Sequence, residues 1–440
     1  MYFGFLSVVV TLIMLGVLVL IHEFGHFAVA KAFGVRVEQF AIGFGKRLFG
    51  VRRGDTDYRV NLLPFGGYVK MSGENPLEGS TGDPAEFMSH PRWQRFFIAI
   101  AGPAMNVLLA IAILTGVFMA RHPKAAFMEG PAIIGDVLPN SPAAKADIRP
   151  GDRIVRISGS QNPTWEQAQN QILLSAGQQV DLEVQRGSEV IPKKIVPVAV
   201  GKDEAGSVGW DPRWDGVSAA QIEHGMPADK AGMKEGDVIT AVNGAPVQTG
   251  SEMIDLIQKS NGSAQQITVK RDERELTFVV HPVEDKEKGR LRIGVDTQPL
   301  ISYERLPFAK AFRESLDKNK EYSGLMFQLV AKLLERRASI KQLSSPIGIG
   351  VAAGHAAQEG WLELLMLTAM ISLNLGILNL FPIPIMDGGV ILLLGIEAVM
   401  RHDISMQVKE RIYQAAFVFL VLFAAIVIYN DVIKIVPGGS

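Results

Sequence analysis

Two histidines and a glutamate lie close together in the first apolar stretch of this chain, in the motif HEFGH at residues 22–26. On a helix, residues four positions apart share one face and lie about 6 Å apart along the axis, so His22 and His26 can direct ring nitrogens at one metal ion. Glu23 would then lie beside a metal-bound water as its general base. Ionisable side chains are costly within an apolar span, and this favours a zinc site over a chance arrangement.

A third protein ligand is expected, because catalytic zinc usually takes three protein groups and keeps one position for water. The chain has no cysteine, so any ligand must be a histidine or a carboxylate. The best candidate is Asp387, in the run NLFPIPIMDGG at residues 379–389, deep in another apolar stretch. Pro382 and Pro384 break a helix locally, which lets the carboxylate turn inward. The alternative is a proline kink in which Asp387 only caps the following helix.

These candidate ligands lie in stretches long enough to cross a bilayer, which takes about 20 residues. Four such stretches cover residues 3–33, 96–120, 364–396 and 413–429. With 440 residues and 48% hydrophobic content, the chain is expected to be a membrane protein with soluble parts. The first stretch lacks a preceding basic residue and a cleavage pattern of small residues, so we expect a retained helix. The net charge of -1 gives no reason to expect nucleic acid as a partner.

The positions of basic residues predict the orientation in the membrane. Lysines and arginines are frequent in residues 31–95 and in the turn between the last two stretches, and such segments belong in the cytoplasm. The N-terminus, residues 121–361 and the C-terminus are then on the far side. The first and third stretches run in the same direction, so His22 and Asp387 should both reach the cytoplasmic half of the membrane.

A repeat appears between the second and third stretches when 85 is added to each residue number. Gly151-Asp152 recurs as Gly236-Asp237, and Arg186 recurs as Arg271. Each copy has short alternating apolar runs and one helical stretch, which predicts a small β-rich domain. The pattern of both copies resembles the PDZ domains of bacterial proteases, which bind peptides by adding a strand to a sheet edge. Two functions stay open: peptide binding, and steric exclusion of bulky molecules.

Two further segments have a recognisable pattern. Residues 35–42 and 58–63 alternate apolar and polar side chains like strands, and Gly66-Gly67 could bend the second run. This predicts a membrane-associated hairpin, re-entering from the cytoplasm, that pairs with an unwound peptide, although a plain cytoplasmic hairpin is the alternative. Residues 309–337 form a charged amphipathic stretch that lies along the membrane surface or serves as a solvated connecting helix.

Taken together, the HEFGH motif, the run at residues 379–389 and the repeat between the second and third stretches resemble the site-2 proteases, most closely the bacterial RseP-type branch. The resemblance covers nearly the whole chain and includes PFGGYVKM at residues 64–71 and AGPAMN at residues 101–106. Met386 stands where that family more often has leucine, a change that conserves volume.

The resemblance implies a polytopic α-helical membrane protein with four transmembrane helices, a membrane-associated β-hairpin and two tandem PDZ domains. The expected parts are residues 1–126 with the first two helices, HEFGH and the hairpin, residues 127–211 and 212–299 as PDZ domains, residues 300–361 as an amphipathic segment, and residues 362–440 with the last two helices. The location implied is the bacterial inner membrane, with periplasmic PDZ domains and an active site toward the cytoplasm.

The family also implies an activity and site residues. It is an intramembrane zinc protease that cuts within the transmembrane segment of a single-span protein; in this branch the substrates are an anti-sigma factor already trimmed outside and remnant signal peptides. By position, His22, His26 and Asp387 would bind Zn²⁺ and Glu23 would be the base. Asn379 and Pro384 would position substrate, together with the hairpin bend at Gly66 and Gly67.

Three rival functions are weaker. A membrane-anchored PDZ adaptor with a silent protease core does not need the intact Glu23. A transporter with a proton relay of intramembrane His, Glu and Asp suits four spans without a repeat poorly. A soluble serine protease with PDZ domains would need a nucleophile motif Gly-x-Ser-x-Gly, which the chain lacks.

Overall fold

Long apolar helices dominate one of the two units into which this chain folds. The computed structural model describes residues 2–74, 82–124, 126–214, 216–285, 290–335 and 337–435. The helical unit comprises Met1–His122, Arg305–Val330 and Leu343–Ser440. The second unit comprises Pro123–Glu304 and Ala331–Gln342, and it contains the sequence repeat.

The α-helices of the described residues follow one another in chain order as α1 (Tyr2–Ala32), α2 (Arg92–Arg121), α3 (Ala126–Glu129), α4 (Pro142–Lys145), α5 (Trp165–Leu173), α6 (Pro227–Ala231), α7 (Gly250–Lys259), α8 (Phe308–Leu334), α9 (Pro346–Glu359), α10 (Trp361–Asn379), α11 (Asp387–Met400) and α12 (Met406–Ile435). Short 3-10 helices lie at Phe87–Ser89 and Ile340–Gln342.

The strands of the described residues are β1 (Val37–Arg53), β2 (Thr56–Met71), β3 (His122–Lys124), β4 (Ile134–Val137), β5 (Arg153–Ile157), β6 (Ser160–Gln161), β7 (Val180–Arg186), β8 (Glu189–Ile195), β9 (Val198–Val200), β10 (Ala205–Ser207), β11 (Trp210–Pro212), β12 (Val217–Ile222), β13 (Val238–Val242), β14 (Ala245–Pro246), β15 (Gln265–Arg271), β16 (Arg274–Val280), β17 (Val283–Asp285), β18 (Arg290–Arg292), β19 (Val295–Pro299) and β20 (Ser302–Glu304).

Four helices of the described residues are long and apolar enough to cross a membrane: Ser7–Ala32 in α1, Arg92–Arg121, Trp361–Asn379 and Gln407–Ile433 in α12. The stretch at residues 364–396 was expected to be one span with a local break. Instead it is divided between α10 and α11, which are separated by the seven residues 380–386. Two prolines in this loop lack the N–H that would continue the ladder of α10.

The helical unit is held together by close packing of small and aliphatic residues. A side chain at Gly25 of α1 would collide with the carbonyl oxygen of Ala101, so α1 and α2 approach each other closely. The short helix α9 also packs into this unit, with Ala353 buried beside Met14 and Leu18 of α1. The sequence predicted an amphipathic segment over residues 300–361 and gave no sign of this apolar helix, whose 14 residues are too few for a span.

Strands β1 and β2 form an antiparallel hairpin in the same unit. Both strands are longer than the runs expected at residues 35–42 and 58–63, and several register shifts interrupt their pairing. Gly66 lies within β2 at a φ of 75°, a left-handed conformation that glycine adopts without strain. The extended backbone of β2 is therefore interrupted at Gly66, one of the two glycines at which the sequence predicts a bend.

The second unit contains two copies of one arrangement, and its elements recur at the same offset as its residues. Strands β5, β7 and β8 begin at residues 153, 180 and 189, and β13, β15 and β16 begin at residues 238, 265 and 274. The helices α5 and α7 match in the same way. Each copy has its own core, with Ile154, Ile172 and Leu182 buried in the first and Ile239, Ile257 and Ile267 in the second.

Each copy also buries one aspartate beside one arginine at equivalent positions. Asp152 is 1% exposed and accepts hydrogen bonds of 2.8 Å from both Nε and a terminal nitrogen of Arg186. Asp237 is equally buried and accepts bonds of 2.5 and 2.6 Å from the same two groups of Arg271. Two parallel hydrogen bonds to a carboxylate fix its orientation, so each pair joins the loop before β5 or β13 to the end of β7 or β15.

Candidate metal centre

The two histidines of the HEFGH motif lie one turn apart on α1 and are both buried. Their Nε2 atoms are 3.2 Å apart. Asp387, the first residue of α11, places one carboxylate oxygen 3.1 Å from Nε2 of His22 and the other 3.4 Å from Nε2 of His26. The structure therefore brings together the three residues that the sequence selected from opposite ends of the chain.

These separations suit a tetrahedral ion. Zinc bound at about 2.0–2.1 Å places neighbouring ligand atoms about 3.3 Å apart. The two imidazole nitrogens are 3.2 Å apart, and each lies 3.1 or 3.4 Å from one of the two carboxylate oxygens of Asp387. Two imidazoles and a carboxylate are also a donor set that zinc accepts in catalytic sites. The three side chains thus fit a zinc ion by both spacing and chemistry.

A glycine on α2 makes room for this cluster. A Cβ at Gly102 would collide with Nε2 of His26 and would lie 2.8 Å from Nε2 of His22. Any side chain at this position would occupy the space beside the ligand atoms. The AGPAMN motif therefore provides a position without a side chain beside the ligand atoms, which the spacing of the motif could not reveal.

The loop between α10 and α11 turns back on α11 and so sets the position of Asp387. Side chains at Gly388 and Gly389 would collide with the carbonyl oxygens of Leu380 and Ile383 respectively, so only glycines allow this return. Ile385 has a φ of 90°, which is strained for a β-branched residue and costs about 1–3 kcal/mol. Strain of this kind persists where the surrounding structure enforces it, and here it lies two residues before the carboxylate of Asp387.

Glu23 lies beside the cluster and is oriented by the hairpin. Its Oε2 accepts a hydrogen bond of 3.0 Å from the backbone N–H of Val69 in β2. A Cβ added at Gly67 would lie 3.9 Å from Cγ of Glu23, so the strand passes close to this side chain. The sequence predicted both the glutamate and the strand, but not the backbone bond between them.

A cavity of about 550 Å³ surrounds these groups. It is lined by His22, Glu23, His26, Asp387 and Asn379, so five of the residues selected from the sequence share one space. Among the described residues, the cavity wall does not include the other three. Gly66 and Gly67 directly precede the lining residue Tyr68, and Pro384 lies one residue before the lining residue Ile385.

The far nitrogens of the two imidazoles also have partners. Nδ1 of His26 lies 2.8 Å from the carbonyl oxygen of Ile98. Nδ1 of His22 lies 3.3 Å from the side-chain amide of Asn106, which is 1% exposed. Sequence reasoning missed Asn106, although an amide within an apolar span is itself an indication of a polar function.

A buried ion pair lies at another part of the cavity wall and was also missed. Glu397 of α11 and Lys409 of α12 are 2.6 Å apart, with side chains 1% and 8% exposed. In the sequence, Lys409 is one of the basic residues of the turn between the last two apolar stretches, which predicts only the orientation of the spans. A buried glutamate that has a lysine partner joins the ends of two neighbouring helices, and both side chains border the same cavity as the metal-ligand cluster.

A cluster of two imidazoles and a carboxylate, with a glutamate in the same cavity that is not one of the metal ligands, defines a metal-dependent hydrolase. The two histidines lie on α1, which is apolar and long enough to cross a membrane, and Asp387 begins α11 in the same helical unit, so the enzyme class is a membrane metallohydrolase.

Comparison with known proteins agrees with this class. The model of Peptidase family M50 matches residues 10–423. The regulator of sigma-E protease RseP of Salmonella typhimurium is 33% identical over 96% of this chain and 97% of its own length. A protein of Neisseria meningitidis, named as a proposed zinc metalloprotease, is 31% identical over 95% and 97%. A PDZ domain of an SdrC-like protein of Listeria monocytogenes is 25% identical and covers 19% of this chain and 88% of that domain, with a TM-score of 0.18.

The chain belongs to peptidase family M50, the site-2 protease family. It is a membrane zinc metalloprotease.

Proposed function

We propose that this protease hydrolyses a peptide bond within the transmembrane segment of a single-span membrane protein. The observation that carries the proposal is the location of His22, His26 and Asp387 on helices packed in one apolar unit. A substrate that reaches this site must enter between apolar helices, and a transmembrane segment does so without leaving the lipid. In this proposal α1, α2, α10 and α12 each cross the membrane once.

In this proposal His22, His26 and Asp387 hold the zinc ion. Zinc, when bound, lowers the pKa of a coordinated water toward neutrality and polarises a carbonyl group. Glu23 accepts the proton of the attacking water on a carboxylate oxygen and later delivers it to the leaving amine. The N–H of Val69 binds one oxygen of this carboxylate and so fixes the direction in which the other oxygen points.

The hairpin is suited to holding a substrate in an extended form. A helical segment hides each carbonyl in a hydrogen bond to the residue four positions on, so it must unwind before water can attack. Tyr68 and Val69 line the cavity, so one side of β2 faces the place where an unwound segment would lie. We propose that this strand, bent at Gly66 and Gly67, pairs with the substrate, and that Asn379 and Pro384 position it from the opposite side.

The relatives suggest the pathway. Proteins named regulators of sigma-E protease match nearly the whole chain. We propose that the substrate here is an anti-sigma factor already cut on its periplasmic side, and that remnant signal peptides are a second substrate. The location would be the bacterial inner membrane, with the active site toward the cytoplasm and the repeat domains in the periplasm.

We further propose that the two repeat copies, residues 127–211 and 212–299, are tandem PDZ domains. The second copy has a groove of about 350 Å³ between α7 and the segment of β18 and β19, with Met253, Ile257 and Ile293 in its wall. An extended peptide fits such a groove by pairing with the neighbouring strand. In the first copy, Gly206 lies so close to α5 that any side chain there would collide with the carbonyl of Ile172. This difference favours peptide binding by the second copy and a purely steric function for the first.

The test uses purified full-length protein and a tagged single-span reporter, with and without its external domain. The native enzyme should cut the shortened reporter within its membrane segment and should cut the full-length reporter much more slowly. Glu23→Gln should keep bound zinc and lose cleavage, because only the proton acceptor is removed. A Glu23→Gln protein that still cut the reporter would remove this residue from the mechanism.

A second arm tests the repeat domains. A version lacking residues 131–296 should cut both reporters at similar rates if these domains exclude bulky substrates. Equal cleavage of both reporters by the native enzyme would show that the domains do not select by size. Cleavage of neither reporter, with zinc bound, would show that the substrate class is wrong.

A further inference from the structure

We propose that Asn106 is a positioning residue, which holds the imidazole of His22 in the tautomer that can bind zinc. The inference rests on the proposed function, because it takes His22 as a metal ligand. Its amide contacts Nδ1, on the far side of the His22 ring from the Nε2 that faces Asp387.

A neutral imidazole binds a metal through the nitrogen that carries no proton, and its other nitrogen then carries one. The Nε2 atoms of both histidines face Asp387, so Nδ1 must be the protonated nitrogen in each ring. His26 meets this requirement directly, because its Nδ1–H can donate to the carbonyl oxygen of Ile98 at 2.8 Å. His22 needs an acceptor in the same place.

The amide of Asn106 is the group in that place. Its Nδ2 lies 3.3 Å from Nδ1 of His22, so two N–H donors would face each other once zinc occupied Nε2. Oδ1 of the same amide is buried and has no hydrogen-bond partner among the described residues. The oxygen and nitrogen of an amide are nearly identical in shape and are assigned from the hydrogen-bond network. Exchanging them replaces a donor-donor contact by a hydrogen bond from Nδ1 of His22 to Oδ1 of Asn106.

The surrounding helices keep this amide in position. The hydroxyl of Ser372 on α10 donates to the backbone carbonyl of Asn106 at 2.8 Å. A Cβ added at Gly376 would lie 3.4 Å from Cβ of Asn106 and 2.9 Å from the carbonyl oxygen of Pro103, so α10 leaves no space beside α2. The backbone and Cβ of Asn106 are fixed in this way, so its amide projects from a constant position toward Nδ1 of His22.

The experiment measures zinc affinity by competition with a chelator, on full-length protein purified in detergent. Asn106→Leu keeps the size of the side chain but removes the acceptor, and it should weaken zinc binding by about 10–100-fold. Asn106→Asp supplies an acceptor oxygen and should keep the affinity of the native protein. Thr115→Val is the matched control, because it removes a different buried hydrogen bond, to Ser315, from the same helix and should leave zinc affinity unchanged.

Native affinity in Asn106→Leu would overturn the inference. Equal losses in Asn106→Leu and Asn106→Asp would do the same, since they would show that only packing matters. His22→Ala distinguishes a failure of the proposed function from a failure of this inference. If His22→Ala retains zinc, the ligand assignment of the proposed function fails. If His22→Ala loses zinc and Asn106→Leu keeps native affinity, only the function of Asn106 is contradicted.

A measurement on the native protein covers the case in which Asn106→Leu does not fold. With ¹⁵N-labelled histidine and bound zinc, the ring nitrogens of His22 should show a proton on Nδ1 with the shift of a hydrogen-bonded group. A proton on Nε2 of His22 would contradict the inference without any substitution.

Discussion

Buried or half-buried carboxylates with specific partners occur in both units of this protein, but their charges are balanced in different ways. In the repeat domains, Asp152 and Asp237 each face an arginine, which is always protonated, so each pair is complete without any ligand. In the helical unit, Asp387 faces two imidazoles, which are neutral when they bind a metal. Its charge is then balanced only by a cation. The aspartates of the repeats therefore stabilise a fold, whereas Asp387 is positioned to bind a metal ion.

The two repeat copies extend this comparison. In both, the arginine also donates to the backbone carbonyl at one equivalent position, Asp147 in the first copy and Gly232 in the second. Beyond this shared core the surroundings differ. Lys193 and Arg149 surround the carboxylate of Asp147 and lower its pKa, whereas in the second copy the ring of Phe278 lies 5.4 Å from the guanidinium of Arg271. The buried pair is kept and its exposed neighbours vary.

The largest effect expected from this contrast is that of Asp387→Asn. The change removes one anionic ligand, so bound zinc should be lost and cleavage should fall by at least about 1,000-fold, because several kcal/mol of transition-state stabilisation disappears. The unfolding of the repeat domains should not change. Zinc content, reporter cleavage and thermal unfolding of one purified sample check all three, and native zinc content would contradict the contrast.

Asp237→Ala should destabilise the second repeat and leave bound zinc unchanged, which is the reverse of Asp387→Asn. Arg271 would keep its charge without its partner, and breaking a buried pair of this kind costs about 3 kcal/mol. The second repeat should lose protection of its β13 and β15 amides in hydrogen exchange, while zinc content stays at the native value. Asp152→Ala should do the same to β5 and β7 of the first repeat. Loss of zinc in either variant would show that the two kinds of carboxylate are not separate in function.

A smaller effect is expected on acidification. Burial by itself raises the pKa of Asp237, but the hydrogen bonds from Arg271 and from the N–H of Lys234 outweigh it, so the pKa is lower than in the unfolded chain. The stability that this pair adds is fully present above the unfolded pKa of about 4 and is lost as the pH falls through the folded value. The protection of the second-repeat amides, relative to their intrinsic exchange rate at each pH, should fall below about pH 4. In Asp237→Asn this fall should be weaker.

The smallest effect is expected from Phe278→Leu. This change keeps an apolar side chain but removes the aromatic face beside Arg271, and a partly exposed contact of this kind contributes about 0.5–1 kcal/mol. Amide exchange at the β15 and β16 pairing should show a loss of that size. A loss as large as that of Asp237→Ala would mean that the ring, and not the carboxylate, holds the arginine.

The sequence predicted those parts of the structure that depend on fixed intervals between residues along the chain. The interval between His22 and His26, the prolines before Asp387 and the constant offset between Asp152 and Asp237 are all visible in one chain of letters. The finer assignments, which include the substrate-positioning residues Asn379, Pro384, Gly66 and Gly67, stay predictions.

What the sequence could not supply depends on segments that meet only in the folded chain. Gly102 is one of many glycines until α2 is placed against the two histidines. Asn106 has no motif that links it to His22, 84 residues earlier. The helix α9 was hidden because it is mostly apolar but only 14 residues long, so it satisfies neither the length of a span nor the pattern of an amphipathic surface helix.

The bond from Val69 to Glu23 is made by the main chain, and this has a consequence for how the family can vary. Exchanging the side chain at position 69 leaves that donor in place, unless proline is introduced. Inserting or deleting one residue in β2, in contrast, would bring a different amide opposite the glutamate and turn alternate side chains to the other face. Length should therefore be more tightly restricted than residue type in this strand as homologous enzymes diverge.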